Sequence, residues 1–283
     1  MSFYSKWRKR RTKVHARRAA DAAETVARET TLRAADARIR AHPNPISRMG
    51  TKCYSQNDED GITLDILRRL NIENGTFLEF GVEDGIENNT LVLLAAGWRG
   101  GWVGGSDLAF DIPEGSPLCY RKGWVDRDNI TALVGDALAP FADTPPQLIS
   151  MDLDGNDIHF VSALLEAGHR PAVWITEYNA KFPPPVRFAL PYAADHTWQG
   201  DDWFGTSLQS YIDLFDSNDY QLVACNAATG SNAYFVRRDL MGHAFDDVPQ
   251  DPRQIWAAPH YVDITPIWHR PSLRLIKHLV AKR

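Results

Sequence analysis

The chain has 283 residues, 44% of them apolar, 24% charged and 11% aromatic, a balance that fits a globular protein of one large or two small domains and excludes a disordered, collagenous or disulfide-stapled chain. The net charge of -5 hides an asymmetry, because the first 40 residues hold 12 Lys+Arg against 4 Asp+Glu while residues 41–283 hold 19 against 32. So acidic a body is a poor nucleic-acid reader, since phosphate binding needs clustered Lys and Arg; small molecules or glycans are the expected partners.

Residues 1–41 run without Gly or Pro through Ala, Arg and Glu and are expected to form a basic helical extension. Val26, Leu32, Ala35 and Ile39 make only a thin apolar stripe. A solvated helix is the plain expectation; self-association, or contact of Trp7 and its basic neighbours with an anionic membrane, is the sharper one. His42-Pro43-Asn44-Pro45 stops the helix and opens a second unit, residues 42–283. After the polar run Ser55 to Asp60, Ile62, Ile66, Leu67 and Leu70 form one helix face. Thr76 to Phe80 reads as a buried strand broken by Gly81 and Gly85, and Asn88 to Ala96 as a helix. Gly101 to Gly104, Gln147 to Asp152 and Ala172 to Glu177 read as further strands, with a helical pattern at Ile158, Val161, Leu164 and Leu165 between the last two. This alternation implies a mainly parallel sheet covered on both faces, with ligands at the carboxyl ends of its strands. Tyr220 to Cys225 and Asn232 to Val236, joined by a Gly-containing turn, depart from it as an antiparallel hairpin. Residues 239–283, with Trp256, Tyr261 and Trp268, are expected to pack back on the body.

The turn Glu79-Phe80-Gly81-Val82-Glu83-Asp84-Gly85 is a candidate cofactor loop, because glycines there let a ligand approach free backbone N–H groups. It is not the dinucleotide fingerprint, since Glu83 stands at the second glycine. Acids at 79, 83 and 84 would repel a pyrophosphate and suit a cationic or hydroxyl-rich ligand. Asp152-Leu153-Asp154-Gly155-Asn156-Asp157 gathers three carboxylates at the end of a strand, where repulsion calls for a cation or a shared proton. With Glu177 and Asn179 at the end of the next strand, Asp152 and Asp154 make an oxygen-rich set suited to Mg²⁺. Haloacid-dehalogenase-like phosphatases and metal-dependent glycosyltransferases also place such Asp pairs after a strand. The plainer alternative is an Asx-type turn in which Asp157 serves the next helix. The connection Phe182 to Gly205 carries His196, Trp198, Asp201, Asp202, Trp203 and Phe204. It reads as a lid or acceptor site, with His196 a candidate general base beside Asp152 and Glu177. His159 reads as a packing or surface histidine.

The segments Tyr54 to Gly61, Phe77 to Thr90, Met151 to Asp157 and Gly205 to Leu208 together resemble the FkbM-like group of S-adenosylmethionine (SAM)-dependent methyltransferases, over about residues 50–240. The resemblance implies an α/β class I methyltransferase-like domain: a doubly wound, mainly parallel sheet ending in an antiparallel hairpin. It further implies O-methyl transfer from SAM to a hydroxyl of a glycan or small natural product, with Glu79, Gly81, Glu83, Gly85 and Asn88 around the cofactor. A bulky residue at 81 would then abolish SAM binding with the fold intact. Gly104 stands where an acid usually holds the ribose of SAM, leaving Asp107 as the substitute, and a non-catalytic binding module is the alternative that this departure suggests.

Cys53, Cys119 and Cys225 are far apart and form no metal-binding pair, so a reducing compartment is expected. With no apolar run of membrane-spanning length and no apolar stretch after the N-terminal charges, the expected location is the cytoplasm, with peripheral contact at the inner face of the membrane through residues 1–41.

Overall fold

The computed structural model describes residues 3–141, 143–261 and 273–281. A long helix, α1 (Phe3–Ala41), precedes the body. Its side chains are exposed from Arg17 through Thr30, and Thr31, Leu32, Ala35, Arg38 and Ile39 are half-buried at helical spacing. The Arg38 guanidinium there donates to the Ala228 carbonyl at 2.9 and 3.2 Å. The side chain of Trp7 lies outside the description, as does Trp268.

The body then alternates: α2 (Glu59–Arg69), β1 (Thr76–Phe80), α3 (Leu91–Ala95), β2 (Arg99–Gly104), β3 (Leu118–Lys122), α4 (Ile130–Leu138), β4 (Leu148–Met151), α5 (Asp157–Glu166), β5 (Val173–Glu177), α6 (Leu208–Asp216), β6 (Tyr220–Cys225) and β7 (Asn232–Arg237). A last helix, α7 (Leu273–Val280), packs against α3. The seven strands form one sheet in the order β3-β2-β1-β4-β5-β7-β6, with β7 antiparallel to both neighbours and the other pairings parallel. β1 touches both β2 and β4, so the chain winds one way through β2 and β3 and returns through β4 and β5. Such a reversal opens a crevice at the carboxyl ends of the two central strands.

Strands covered on both faces bury nearly every residue, and β1, β4 and β7 do so. Aromatic packing fixes the hairpin end: Phe215 of α6 stacks on Phe235 at 4.1 Å between centroids and meets Trp174 at 6.0 Å, contacts that add about 0.5–1.5 kcal/mol each beyond burial. β3 is absent from the sequence expectations because it is an edge strand whose Arg121 and Lys122 are exposed, which erases the apolar run. The helix expected from Asn88 begins at Leu91 instead, because a strand carboxylate takes the preceding amides. As expected, the segment after β7 packs back: Trp256 Nε1 donates to the Ala180 carbonyl (3.2 Å), and the Tyr261 hydroxyl accepts from the Ala180 N–H (2.9 Å).

Candidate functional site

The crevice is walled by acids, which divide into two kinds. Glu79 is of the first. Strand register sets it beside Trp102 and Ser150, and its buried carboxylate accepts from the N–H of Asn89 (2.9 Å), the N–H of Thr90 (3.0 Å) and the Thr90 hydroxyl. Thr90 Oγ1 in turn accepts from the Trp102 indole at 2.8 Å. Burial pushes the Glu79 carboxyl above its ordinary range, and these donors, with the side chain of Asn88, oppose the rise. Glu79 thus caps the short helix α3.

The glycine turn is closely built into the sheet. The N–H groups of Gly81 and Val82 both donate to the Val103 carbonyl (3.1 and 3.3 Å), so those amides are not free for a ligand, contrary to the sequence expectation. Gly81 has φ +86°. A Cβ on Gly104 would fall 1.9 Å from the Val82 carbonyl oxygen, which is why no acid stands at that position. Asp107 is exposed and paired with Lys122 at 2.7 Å; Glu83 is exposed, Gly85 and Asn88 are buried.

Three consecutive buried acids at the start of α2 form the opposite wall. Asp60 Oδ2 accepts the N–H groups of Cys53 (2.6 Å), Tyr54 (2.5 Å) and Ser55 (2.9 Å). Asp58 accepts those of Ala227 (3.1 Å) and Ala228 (3.3 Å). Glu59 accepts the Asn57 N–H (2.8 Å) and the Asn226 side-chain amide (3.1 Å). These bonds tie α2 to the hairpin turn. Burial and the neighbouring Glu59 charge push the Asp58 carboxyl up to about 7.

At the ends of β4 and β5 the pattern changes. Asp157 accepts the N–H groups of Leu153 (2.7 Å) and Gly155 (2.9 Å), folding the turn onto its own helix, and burial pushes it up to about 6. Asn156 clamps the backbone of Ala193 in both directions (2.7 and 3.3 Å), which brings the long connection down so that His196 covers Gly155. A Cβ there would meet His196 Cδ2 at 2.2 Å. Asp152, Asp154 and Glu177 each place a carboxylate oxygen within 4.8 Å of the others. Burial raises all three; the charges of Asp154 and Asp157 raise Asp152 further and those of Asp152 and Asp154 raise Glu177 further, whereas His196 opposes the rise at Asp154. Glu177 Oε2, His196 Nε2 and the hydroxyl of the fully buried Tyr211 have no hydrogen-bond partner among the described residues.

Asn179, expected with these carboxylates as a metal ligand, is instead occupied elsewhere. Its Nδ2 donates to the carbonyls of Asp202 (3.1 Å) and Phe204 (3.0 Å), and its Oδ1 accepts the Lys181 N–H (3.2 Å), so it anchors the connection to β5. On the rim, Trp198 and Trp203 are exposed, and so is Trp124, whose Nε1 donates to the Ala194 carbonyl at 2.8 Å. His159 packs, with Nε2 2.7 Å from the Leu190 carbonyl and its ring edge-on to Tyr192. Tyr211, Glu59 and Trp124 are site neighbours that sequence reasoning missed. Glu59 was visible as part of an acidic run, but Tyr211 sits on an ordinary amphipathic helix and carries no local signal.

No protein-family model matches the chain, and neither do the curated proteins or the solved structures.

Proposed function

We propose that the protein transfers a methyl group from SAM to an oxygen nucleophile, a hydroxyl of a glycan or small natural product. The observation that carries this reading is the crevice between β1 and β4. It lies where a doubly wound sheet binds ligands, and Asp152, Asp154 and Glu177 at its edge make no salt bridge with a Lys or Arg among the described residues, which suits a ligand with cationic or hydroxyl groups. The closing hairpin β6–β7 is in keeping with the same reading.

Bound SAM would supply an electrophilic methyl carbon; the chain's own residues supply placement and proton removal. Glu83, Gly85 and Asn88 border the turn that would cradle the cofactor, with Glu79 and Gly81 holding that turn in shape. Asp107 is the acid available to the ribose, since Gly104 leaves no room for one on the strand. The acceptor hydroxyl would enter beneath the connection carrying His196, whose unpartnered Nε2 is placed to take the proton. Asp152 and Glu177 would orient the acceptor, and the exposed faces of Trp124, Trp198 and Trp203 offer apolar platforms of the kind that sugar rings stack on.

Titration calorimetry with SAM and with its demethylated product tests the cofactor, and incorporation of labelled methyl into a panel of glycans and polyols tests the reaction. The expected result is saturable one-to-one binding. His196→Ala should lower kcat by about 10²–10⁴-fold and leave cofactor affinity unchanged. Absence of binding by both compounds at millimolar concentration would overturn the proposal.

A further inference from the structure

We propose that Asp152, Asp154 and Glu177 form a binding site for one divalent cation of the oxygen-preferring class, Mg²⁺, Mn²⁺ or Ca²⁺. The argument is a contrast among acids in one crevice. Asp58, Glu59, Glu79 and Asp157 are each satisfied by backbone or side-chain donors at 2.7–3.3 Å, and Asp60 takes three backbone N–H groups on Oδ2 while its Oδ1 stays without a partner among the described residues. Asp152, Asp154 and Glu177 accept no hydrogen bond and make no salt bridge with any described residue, although their oxygens converge within 4.8 Å. Asp152 and Glu177 are half-buried and Asp154 is exposed, and of their oxygens Glu177 Oε2 is fully buried, a state in which acceptors seldom go without a donor. Oxygens so spaced can share an ion at about 2.1–2.6 Å from each, the usual distance to Mg²⁺ or Ca²⁺.

A second observation points the same way. The Tyr211 hydroxyl is fully buried and has no well-formed hydrogen bond among the described residues; its polar neighbour is the Thr206 hydroxyl, and it lies close enough to Asp157, Glu177 and Asp152 to feel their charges. Glu177 Oε2 is likewise buried without a donor. Glu177 Oε2 is thus the buried end of the cluster and Asp154 its exposed end, so an ion has a route in and coordination positions left over for water or an acceptor oxygen. The turn is shaped to present Asp154: its backbone has φ +56°, a region that Asp and Asn tolerate better than other side chains. The rival way to relieve three converging carboxylates is for them to retain protons.

Ion binding stands independently of methyl transfer; only its use on an acceptor hydroxyl rests on that reading. The full chain, stripped with EDTA and desalted, is titrated calorimetrically with MgCl₂, MnCl₂ and CaCl₂ at pH 7.5 without SAM, and melted with and without each ion. One-to-one binding and a higher melting temperature are expected for at least one of the three. Asp154→Asn keeps the backbone conformation and breaks no hydrogen bond, so it should fold and melt like the metal-free parent while losing at least about tenfold in affinity. Glu177→Gln should do the same, and Asp239→Asn, an exposed acid elsewhere, should change nothing. Absence of saturable binding by all three ions, with wild type and Asp154→Asn melting alike in every condition, would overturn the proposal in favour of shared protons. SAM binding that persists in that case would leave the methyl-transfer reading standing.

Discussion

A Cβ placed on Gly81 would lie 1.4 Å from the carbonyl oxygen of Asp152. The last turn of β1 and the last turn of β4 therefore touch through a position that only glycine can occupy, and φ +86° makes the same demand independently. The expectation that a large residue at 81 would block a ligand while sparing the fold is corrected by this contact.

Gly81→Ala should destabilise the protein. The left-handed backbone alone costs an alanine about 1–2 kcal/mol, and the overlap with Asp152 adds to it. At about 2–4 °C per kcal/mol for a body of this size, a fall in melting temperature of about 4 °C or more is expected in thermal unfolding followed by circular dichroism. An unchanged melting temperature would mean that the two turns are not in contact.

Stability should fall as pH rises from about 4 to about 7 in the absence of divalent ions. Asp58 is pushed up to about 7 and Asp157 to about 6, both by burial first, against about 4 in an unfolded chain. Across that window the folded state holds more protons than the unfolded state, and linkage then makes stability decline with pH. Asp247 and Asp251 act oppositely, since hydrogen bonds from Arg69 and Arg253 hold them below the usual range, but their contribution is lost only below about pH 4. In EDTA the melting temperature at pH 5.5 should exceed that at pH 8. A melting temperature that climbs steadily from pH 5.5 to 8 in chelator would show that these acids ionise without penalty.

Removing residues 17–30 together with everything before them should leave the melting temperature within about 2 °C of the full chain, because the side chains of residues 17–30 are exposed and solvated surface contributes about 0.5 kcal/mol or less. Removing residues 2–44 should lower it well beyond that. The second deletion takes away the half-buried turns of α1, the Arg38 bond to Ala228, and Asn44, whose buried Nδ2 donates to the Val223 carbonyl at 2.7 Å. Differential scanning calorimetry on both truncations checks the boundary, and equal melting temperatures for the two would place all of residues 2–44 outside the cooperative unit.

The alternation of elements was legible from local pattern, because a strand buried on both faces must read as a short apolar run and a surface helix as a 3.6-residue period. Thr76 to Phe80, Gln147 to Asp152, Ala172 to Glu177 and the two hairpin strands carry that signal, and no helix among the described residues is long and apolar enough to cross a membrane. Acid and glycine at strand ends were legible for the same reason, since a turn at a sheet edge has few residue types open to it. The jobs of those acids were not. Glu79 and Asp152 lie at the ends of adjacent strands with the same chemistry, yet Glu79 is consumed by the amides of Asn89 and Thr90 just before α3 and Asp152 has no donor among the described residues. That difference depends on where Asn89 and Thr90 fall in space. In the same way, Asn179 faces its own loop rather than the carboxylates, and His196 reaches Gly155 only because Asn156 clamps Ala193. Hydrogen-bond partners far apart in sequence are chosen by the packing of whole elements. The sequence by itself therefore determined most of the elements and which chemistry they carry to the sheet edge; the tertiary structure alone decided which carboxylates are spent on the fold and which are left without a donor among the described residues.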